Sequence, residues 1–329
     1  MMRRISAAAS AALVLFASVG CSMTKRDLEK TEITTEVPVV TTFLGDSIAA
    51  GYGLEGYTDS DNYNCPDSYA NILGRRYGEE LGEDVPHQMY NLAVSGDKTS
   101  DLIAHLETDS FAEALEKSSA VVISIGGNDL MGIVFDAMEQ IGLSWETGEF
   151  DLDNIDIFAA ASVLMSLEEN IDEALANFEV NIKAVAETAA EKTNGDIYIQ
   201  TVYNPLESFD SIQMLTDFSN EKIGRLNEII KSNSAECGYR VIDVAAEFEG
   251  RNSELTRINS FDIHPNEEGH SVIAKLVDKS LRSRRYTFVT EEYGEPYLPL
   301  STILLILGGL CGMLVVVLIV IPKLFKKHE

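Results

Sequence analysis

Basic residues are scarce in this 329-residue chain: 25 Lys and Arg stand against 53 Asp and Glu, for a formal charge of −28. Such a surface repels phosphate backbones, which argues against nucleic acid as a partner. Cysteine is rarer still. Of four, Cys21 and Cys311 lie in apolar segments near the two ends, and the spacing of Cys65 and Cys237 gives no ground for a disulfide. Histidine numbers five, so there are few candidates for a general base. Asp59, Asp61 and Asn64 share the loop 51–66, but the glycine of a sharp calcium turn and its closing acid are missing, so no metal is expected there. Internal repeats and interior linkers are absent too, which leaves one folded body.

Two apolar stretches flank that body. Met1 to Val19 carries Arg3 and Arg4, then an apolar run, then small residues before Cys21. This pattern reads as a secretory signal peptide over residues 1–21. Ser18-Val19-Gly20-Cys21 partly resembles a lipoprotein cleavage box, with Ser18 where leucine is usual, so lipidation of Cys21 and simple cleavage nearby both stay open. Leu300 to Ile321 contains no charged residue and exceeds the roughly 20 residues that cross a bilayer. Lys323, Lys326 and Lys327 follow it, while Glu291, Glu292 and Glu295 precede it. The positive-inside rule then places the tail 322–329 in the cytoplasm and the body outside. The expectation is a single-pass cell-membrane protein: polar stalk 22–38, soluble domain 39–285, linker 286–299, transmembrane helix 300–321.

Within the body, apolar runs at Val39–Leu44, Met89–Val94, Ala120–Ile125, Asp196–Val202 and Arg240–Val244 read as strands. Helical patterns separate them. Asp67 caps a helix reaching Leu81, and Thr99 or Ser100 caps another. Phe158–Lys192 is a long helix, Asn220–Ala235 a further one, and Pro265 opens the last. Leu130–Asp156, with the lone tryptophan Trp145, reads as irregular, either a lid or surface filler. Strands alternating with helices predict an α/β fold on a parallel five-stranded sheet. Active sites of such sheets lie beyond the strands' carboxyl ends. Gly45-Asp46-Ser47, Ser95-Gly96 and Gly127-Asn128 all fall at such ends.

Acyl transfer needs a nucleophile, a base and donors for an oxyanion. Ser47 is the candidate nucleophile. The backbone N–H groups of Ser47 and Gly96 and the side-chain amide of Asn128 are the candidate donors. Four histidines are poorly placed: His328 in the tail, His105 and His270 inside helical patterns, His87 before a strand. His264 remains, in Ser260-Phe261-Asp262-Ile263-His264-Pro265-Asn266, next to an acid that could orient it.

Gly45-Asp46-Ser47, Gly96, Gly127-Asn128-Asp129 and Asp262-Ile263-His264-Pro265-Asn266 together resemble, in order, the four blocks of the SGNH hydrolase superfamily, the GDSL lipases and esterases. The likeness runs from about Val39 to Leu281. It implies a three-layer α/β/α flavodoxin-like fold, Ser47 as nucleophile, an oxyanion hole of Ser47, Gly96 and Asn128, and His264 as base. It also implies ester hydrolysis without metal or organic cofactor. The family's aspartate usually stands three residues before the histidine. Phe261 holds that place here and Asp262 stands two before, so Asp262 or a backbone carbonyl orients the imidazole. The expected substrates are lipase- or lysophospholipase-like acyl esters. The alternatives are an O-acetylesterase acting on carbohydrate or peptidoglycan and, as a minor one, a surface binding module without catalysis.

Overall fold

The computed structural model of the chain describes residues 28–140, 157–208, 213–293 and 300–320. The expected signal peptide with Cys21, the start of the expected stalk, the Trp145 stretch and the expected cytoplasmic tail lie outside them. Residues Thr34–Tyr286 form one compact unit, and the described residues outside that range belong to a second.

Seven strands are present among the described residues. β1 (Leu28–Thr35) pairs with β7 (Tyr286–Tyr293) in a two-stranded ribbon. The other five form a sheet: β2 (Val40–Gly45), β3 (Gln88–Asn91), β4 (Ala120–Ser124), β5 (Asp196–Gln200) and β6 (Arg240–Ile242), ordered β3-β2-β4-β5-β6. Every pairing in this sheet is parallel. The chain steps outward from β2 to β3, then returns to the other side of β2 at β4. That reversal opens a crevice at the carboxyl ends of β2 and β4, as in flavodoxin-like sheets.

Both faces of the sheet are covered, so its central strands β2 and β4 are buried along nearly their whole length rather than on alternate residues. Leu44, Val121, Ile123, Ile197 and Ile199 face one core, which the helices Thr99–Leu106, Asp109–Lys117, Gly127–Gln140, Ile157–Lys192 and Gln213–Asn233 complete. Phe43, Ala120, Val122 and Tyr198 face the other, beneath the helices Tyr69–Leu81, Val244–Phe248 and Glu267–Leu281. Fully buried Phe43, Phe178 and Phe248 anchor the two layers, each contributing about 2–3 kcal/mol of burial.

Several expectations need correction. The start of the stretch read as irregular, 130–156, is helical, in Gly127–Gln140. Its buried Leu130, Met131, Val134 and Ala137 pack into the same core as the long helix, a contact that overrides the poor helix propensity of Gly127 and Gly132. The stalk and linker include β1 and β7, whose residues acquire a ladder only by pairing with each other across the chain. The strands β3 and β5 stop at Asn91 and Gln200, short of Val94 and Val202. Ser68, not Asp67, caps the helix Tyr69–Leu81, and Asn266 caps the last helix, which begins at Glu267. Cys65 and Cys237 are free thiols. Among the described residues one helix, Ser301–Ile319, is long and apolar enough to cross a membrane.

Among the described glycines, the closest approach to a would-be Cβ lies at the end of β2. Gly45 has φ +135°, and a Cβ there would sit 1.9 Å from the Ser124 carbonyl oxygen. Gly45→Ala combines that overlap with a left-handed backbone penalty and should destabilise the fold by about 3 kcal/mol or more. Urea unfolding checks this: a loss under about 1 kcal/mol would show that the two strand ends are free to separate.

Candidate active site

The turn after β2 is built to present one side chain. Asp46 donates its backbone N–H to Ser124 O at 3.1 Å, one rung beyond the β2–β4 ladder. Its side-chain Oδ1 accepts from Ile48 N at 3.0 Å and so caps the single helical turn Ser47–Ala50. Gly51, left-handed at φ 86°, closes the turn by donating to Ser47 O. Tyr52 N donates to the same oxygen at 2.9 Å. Ser47 is thereby fixed from both sides at the mouth of the crevice.

The loop before the last helix supplies its partner. An antiparallel bridge joins Thr256 to Pro265 and pinches that loop at its base. Ser47 Oγ lies 2.9 Å from His264 Nε2, and His264 Nδ1 lies 2.5 Å from Asp262 Oδ1. The same Oδ1 accepts from the His264 backbone N–H at 3.0 Å. Asp262 therefore makes an Asx-type turn onto the histidine it orients. This turn closes the one-residue gap left by Phe261, which adopts a left-handed φ of 56°. Burial raises the Asp262 carboxyl. The bonds from His264, with the His264 and Arg257 charges, outweigh that and hold it below the ordinary carboxylate value. An ionised Asp262 accepts from Nδ1–H, which leaves Nε2 with a lone pair toward Ser47.

The donor side is assembled from the next two strand ends. Gly96 has φ +89°, and its N–H donates to no protein acceptor among the described residues; neither does that of Ser47. Asn128 Nδ2 donates to Asp97 O at 2.9 Å. That bond uses one amide proton and leaves the second to point elsewhere. Asp129 clamps the neighbouring helix by accepting from Thr99 N and Thr99 Oγ1. The sequence-predicted Ser47, His264 and Asp262 thus meet in one hydrogen-bonded chain, and Gly96 and Asn128 sit on the loops bordering them.

Several contributors were not visible in the sequence. Tyr203 donates its hydroxyl to Ile263 O at 2.7 Å, bracing the histidine loop from β5's end. Tyr52 packs its ring 4.5 Å from that of His264. Neither carries a motif, and only folding brings it to the site. Asp59 and Asp61, rejected above as calcium ligands, accept from Tyr57 Oη and Tyr63 N instead. Among the described residues no cluster of His, Cys, Asp or Glu could hold a metal.

Comparison with known proteins adds the following. The profile of the GDSL-like Lipase/Acylhydrolase family matches residues 43–272. The spore germination lipase LipC of Bacillus licheniformis is 25% identical over 235 residues, spanning 71% of this chain and 92% of that protein. A lipase from a goat rumen metagenome superposes with a TM-score of 0.53 at 22% identity, covering 74% of this chain and 97% of its own. An extracellular lipase from Streptomyces rimosus gives 0.53 at 19% identity, with 73% and 99% covered. At these identities the two structures speak for the fold.

Asp46 makes its own prediction. Burial raises its carboxyl to about 7 against the pull of the Ile48 N–H, and the Asp129 and Asp97 charges add to the rise. The folded protein then holds a proton that the unfolded chain releases near pH 4. Stability from this group is present at low pH and is lost as pH rises from about 4 to 7, by on the order of 4 kcal/mol at most. Asp46→Asn keeps the capping oxygen and removes the titration, so its urea midpoint should fall less than that of wild type between pH 4.5 and 8. Parallel pH slopes for the two proteins would contradict a proton held on Asp46.

Proposed function

This chain belongs to the GDSL-like Lipase/Acylhydrolase family, and from that premise we propose that Ser47, His264 and Asp262 are the catalytic relay of a membrane-anchored, extracytoplasmic esterase acting on lipid-like acyl esters. The family makes it a carboxylic ester hydrolase. The observation that carries the rest is the continuous 2.9 Å and 2.5 Å path from Ser47 Oγ through the imidazole to Asp262.

His264 Nε2 takes the serine proton as Oγ attacks the ester carbonyl, and Asp262 stabilises the imidazolium that forms. The N–H groups of Ser47 and Gly96 and the second Asn128 amide proton receive the oxyanion. Collapse of the tetrahedral intermediate sends the Nε2 proton to the leaving alcohol. Water then enters, gives its proton to His264 and hydrolyses the acyl-enzyme, restoring Ser47. No step calls for a metal or organic cofactor.

Exposed apolar side chains on the site's own loops support a lipid-like acyl group. Tyr52 follows the Ser47 turn, Val94 precedes Gly96, and Phe261 adjoins Asp262; each is exposed. The apolar helix Ser301–Ile319 supports an anchor that keeps the site near a membrane surface. The leader pattern at residues 1–21 and the lysines at 323, 326 and 327 support export of the body, with the tail left in the cytoplasm. In this reading residues 39–285 are the hydrolase domain.

The full chain in detergent should hydrolyse p-nitrophenyl esters with an optimum at medium acyl length. Ser47→Ala should lower kcat at least about 10⁴-fold, and Asp262→Asn by roughly 10²–10⁴. A Ser47→Ala variant with undiminished turnover would remove the serine from the mechanism. An optimum at acetate would replace the lipid-like substrate by an O-acetyl group on a glycan.

A further inference from the structure

Arg257 lies outside every block that resembles the family, yet it touches the histidine loop at four points. Its backbone N–H donates to His264 O at 3.0 Å, and its carbonyl accepts from Ser260 N at 2.8 Å and Asp262 N at 3.3 Å. Its guanidinium reaches back over the same loop, with Nη1 3.6 Å from Asp262 Oδ2. That nitrogen is enclosed and has no hydrogen-bond acceptor among the described residues. The opposite wall is Gly53, at φ +79°, where a Cβ would sit 2.3 Å from Nη1 and 3.4 Å from Asp262 Oδ2. A side chain at 53 would displace the guanidinium, so the loop after Ser47 leaves a seat for it.

The arrangement has a mechanical reason. Both donors of the histidine, its backbone N–H and Nδ1, fall on the single oxygen Oδ1 of Asp262. A carboxylate held by one oxygen is free to swing about its terminal torsion. With aspartate two residues before histidine instead of three, the acid reaches the imidazole through an Asx turn. Something must hold the other oxygen. Resting on the relay proposed above, we infer that Arg257 is the positioning residue that pins Asp262 for this shortened loop, and that its fixed charge sets the lower pH limit of the reaction.

The charge argument depends on what else faces the imidazole. From its own loop come Asp262 and Arg257, and from the turn after β2 come Ser47 and Tyr52. Behind it, on the last helix, is His270, which burial drives down to about 3, with Arg257 and His264 pushing the same way. His270 is therefore neutral through the working range. Tyr203 is buried and held well above its ordinary value, so it too is neutral. Asp46, which acts on the buried Tyr203, titrates near 7 and contributes only as it ionises. Arg257 is the permanent cation of this set. Its charge lies beside the His264–Asp262 pair and helps to hold the Asp262 carboxyl low.

The test is the pH profile of kcat/KM for Arg257→Gln and Arg257→Lys in the full chain, on the p-nitrophenyl ester that wild type prefers. Losing the cation should move the acid limb of Arg257→Gln up by about 0.5–1 pH unit. The unpinned acid should lower its plateau kcat by roughly ten- to a hundredfold with KM little changed. Arg257→Lys should keep the wild-type limb and recover much of kcat. An unmoved limb in folded Arg257→Gln, or a limb in Arg257→Lys displaced as far as in Gln, would overturn the inference. Should Arg257→Gln fail to fold, Arg257→Lys carries the test: a limb at the wild-type position supports the charge role, and one displaced by more than about half a unit refutes it. Ser47→Ala separates the two readings. Turnover surviving in Ser47→Ala removes the relay itself, whereas an inert Ser47→Ala beside an unmoved Arg257→Gln limb removes only Arg257.

Discussion

The site depends on how closely two strand ends approach. β2 and β4 are paired up to Gly45 and Ser124, and the contact there admits no side chain. One residue later the Asp46 N–H takes the Ser124 carbonyl, which ends the ladder and swings the chain out of the sheet. Ser47 is then the first residue of a helical turn, with its N–H unengaged by any acceptor among the described residues and its hydroxyl within reach of His264 on the opposite loop. A glycine at 45 and a buried carboxyl at 46 are thus the structural conditions for a serine at 47 that can react. The Asp46 carboxyl is costly to bury as an anion, and its raised value reflects that cost.

The sequence made most of this framework readable because parallel strands buried on both faces appear as unbroken apolar runs. Val39–Leu44 and Ala120–Ile125 read that way, and each is followed by a glycine just ahead of the proposed site residues. The rule that such sheets bind at their carboxyl ends groups Ser47, Gly96 and Asn128 from the sequence alone. His264 followed because the other histidines fell in poor positions. The five-stranded sheet and the long helix Ile157–Lys192 came out of the same periodicities.

Other parts were hidden because their order comes from tertiary contact. The helix Gly127–Gln140 contains weak helix formers and is held by packing against the core around Ile171, Leu175 and Phe178. β1 and β7 are each ordinary polar segments until they meet. Arg257 belongs to no pattern, since what matters is the reach of its side chain to Asp262 and the hollow left at Gly53. The shortened loop was legible as a departure but not as a solution. The solution is a conformational one: a left-handed Phe261 and an Asx turn on His264 replace the missing residue.

Charge ties the site to the rest of the chain. Ester hydrolysis converts a neutral substrate into a carboxylate, and its transition state already carries negative charge on the carbonyl oxygen. With 53 acidic residues against 25 basic ones, the long-range field of this protein disfavours that charge and favours its departure. Stabilisation of the oxyanion must therefore be local, from short-range donors in the crevice. Burial raises the carboxyls of Asp46, Asp97 and Asp129, and nearby carboxylates add to the rise at Asp46 and Asp97. Asp262 is the exception that the proposed relay needs. It stays ionised because it accepts two bonds from His264 and faces Arg257. A strongly acidic protein can keep a working carboxylate in its active site only by surrounding it with its own donors and cation, and the loop 257–264 does so within eight residues.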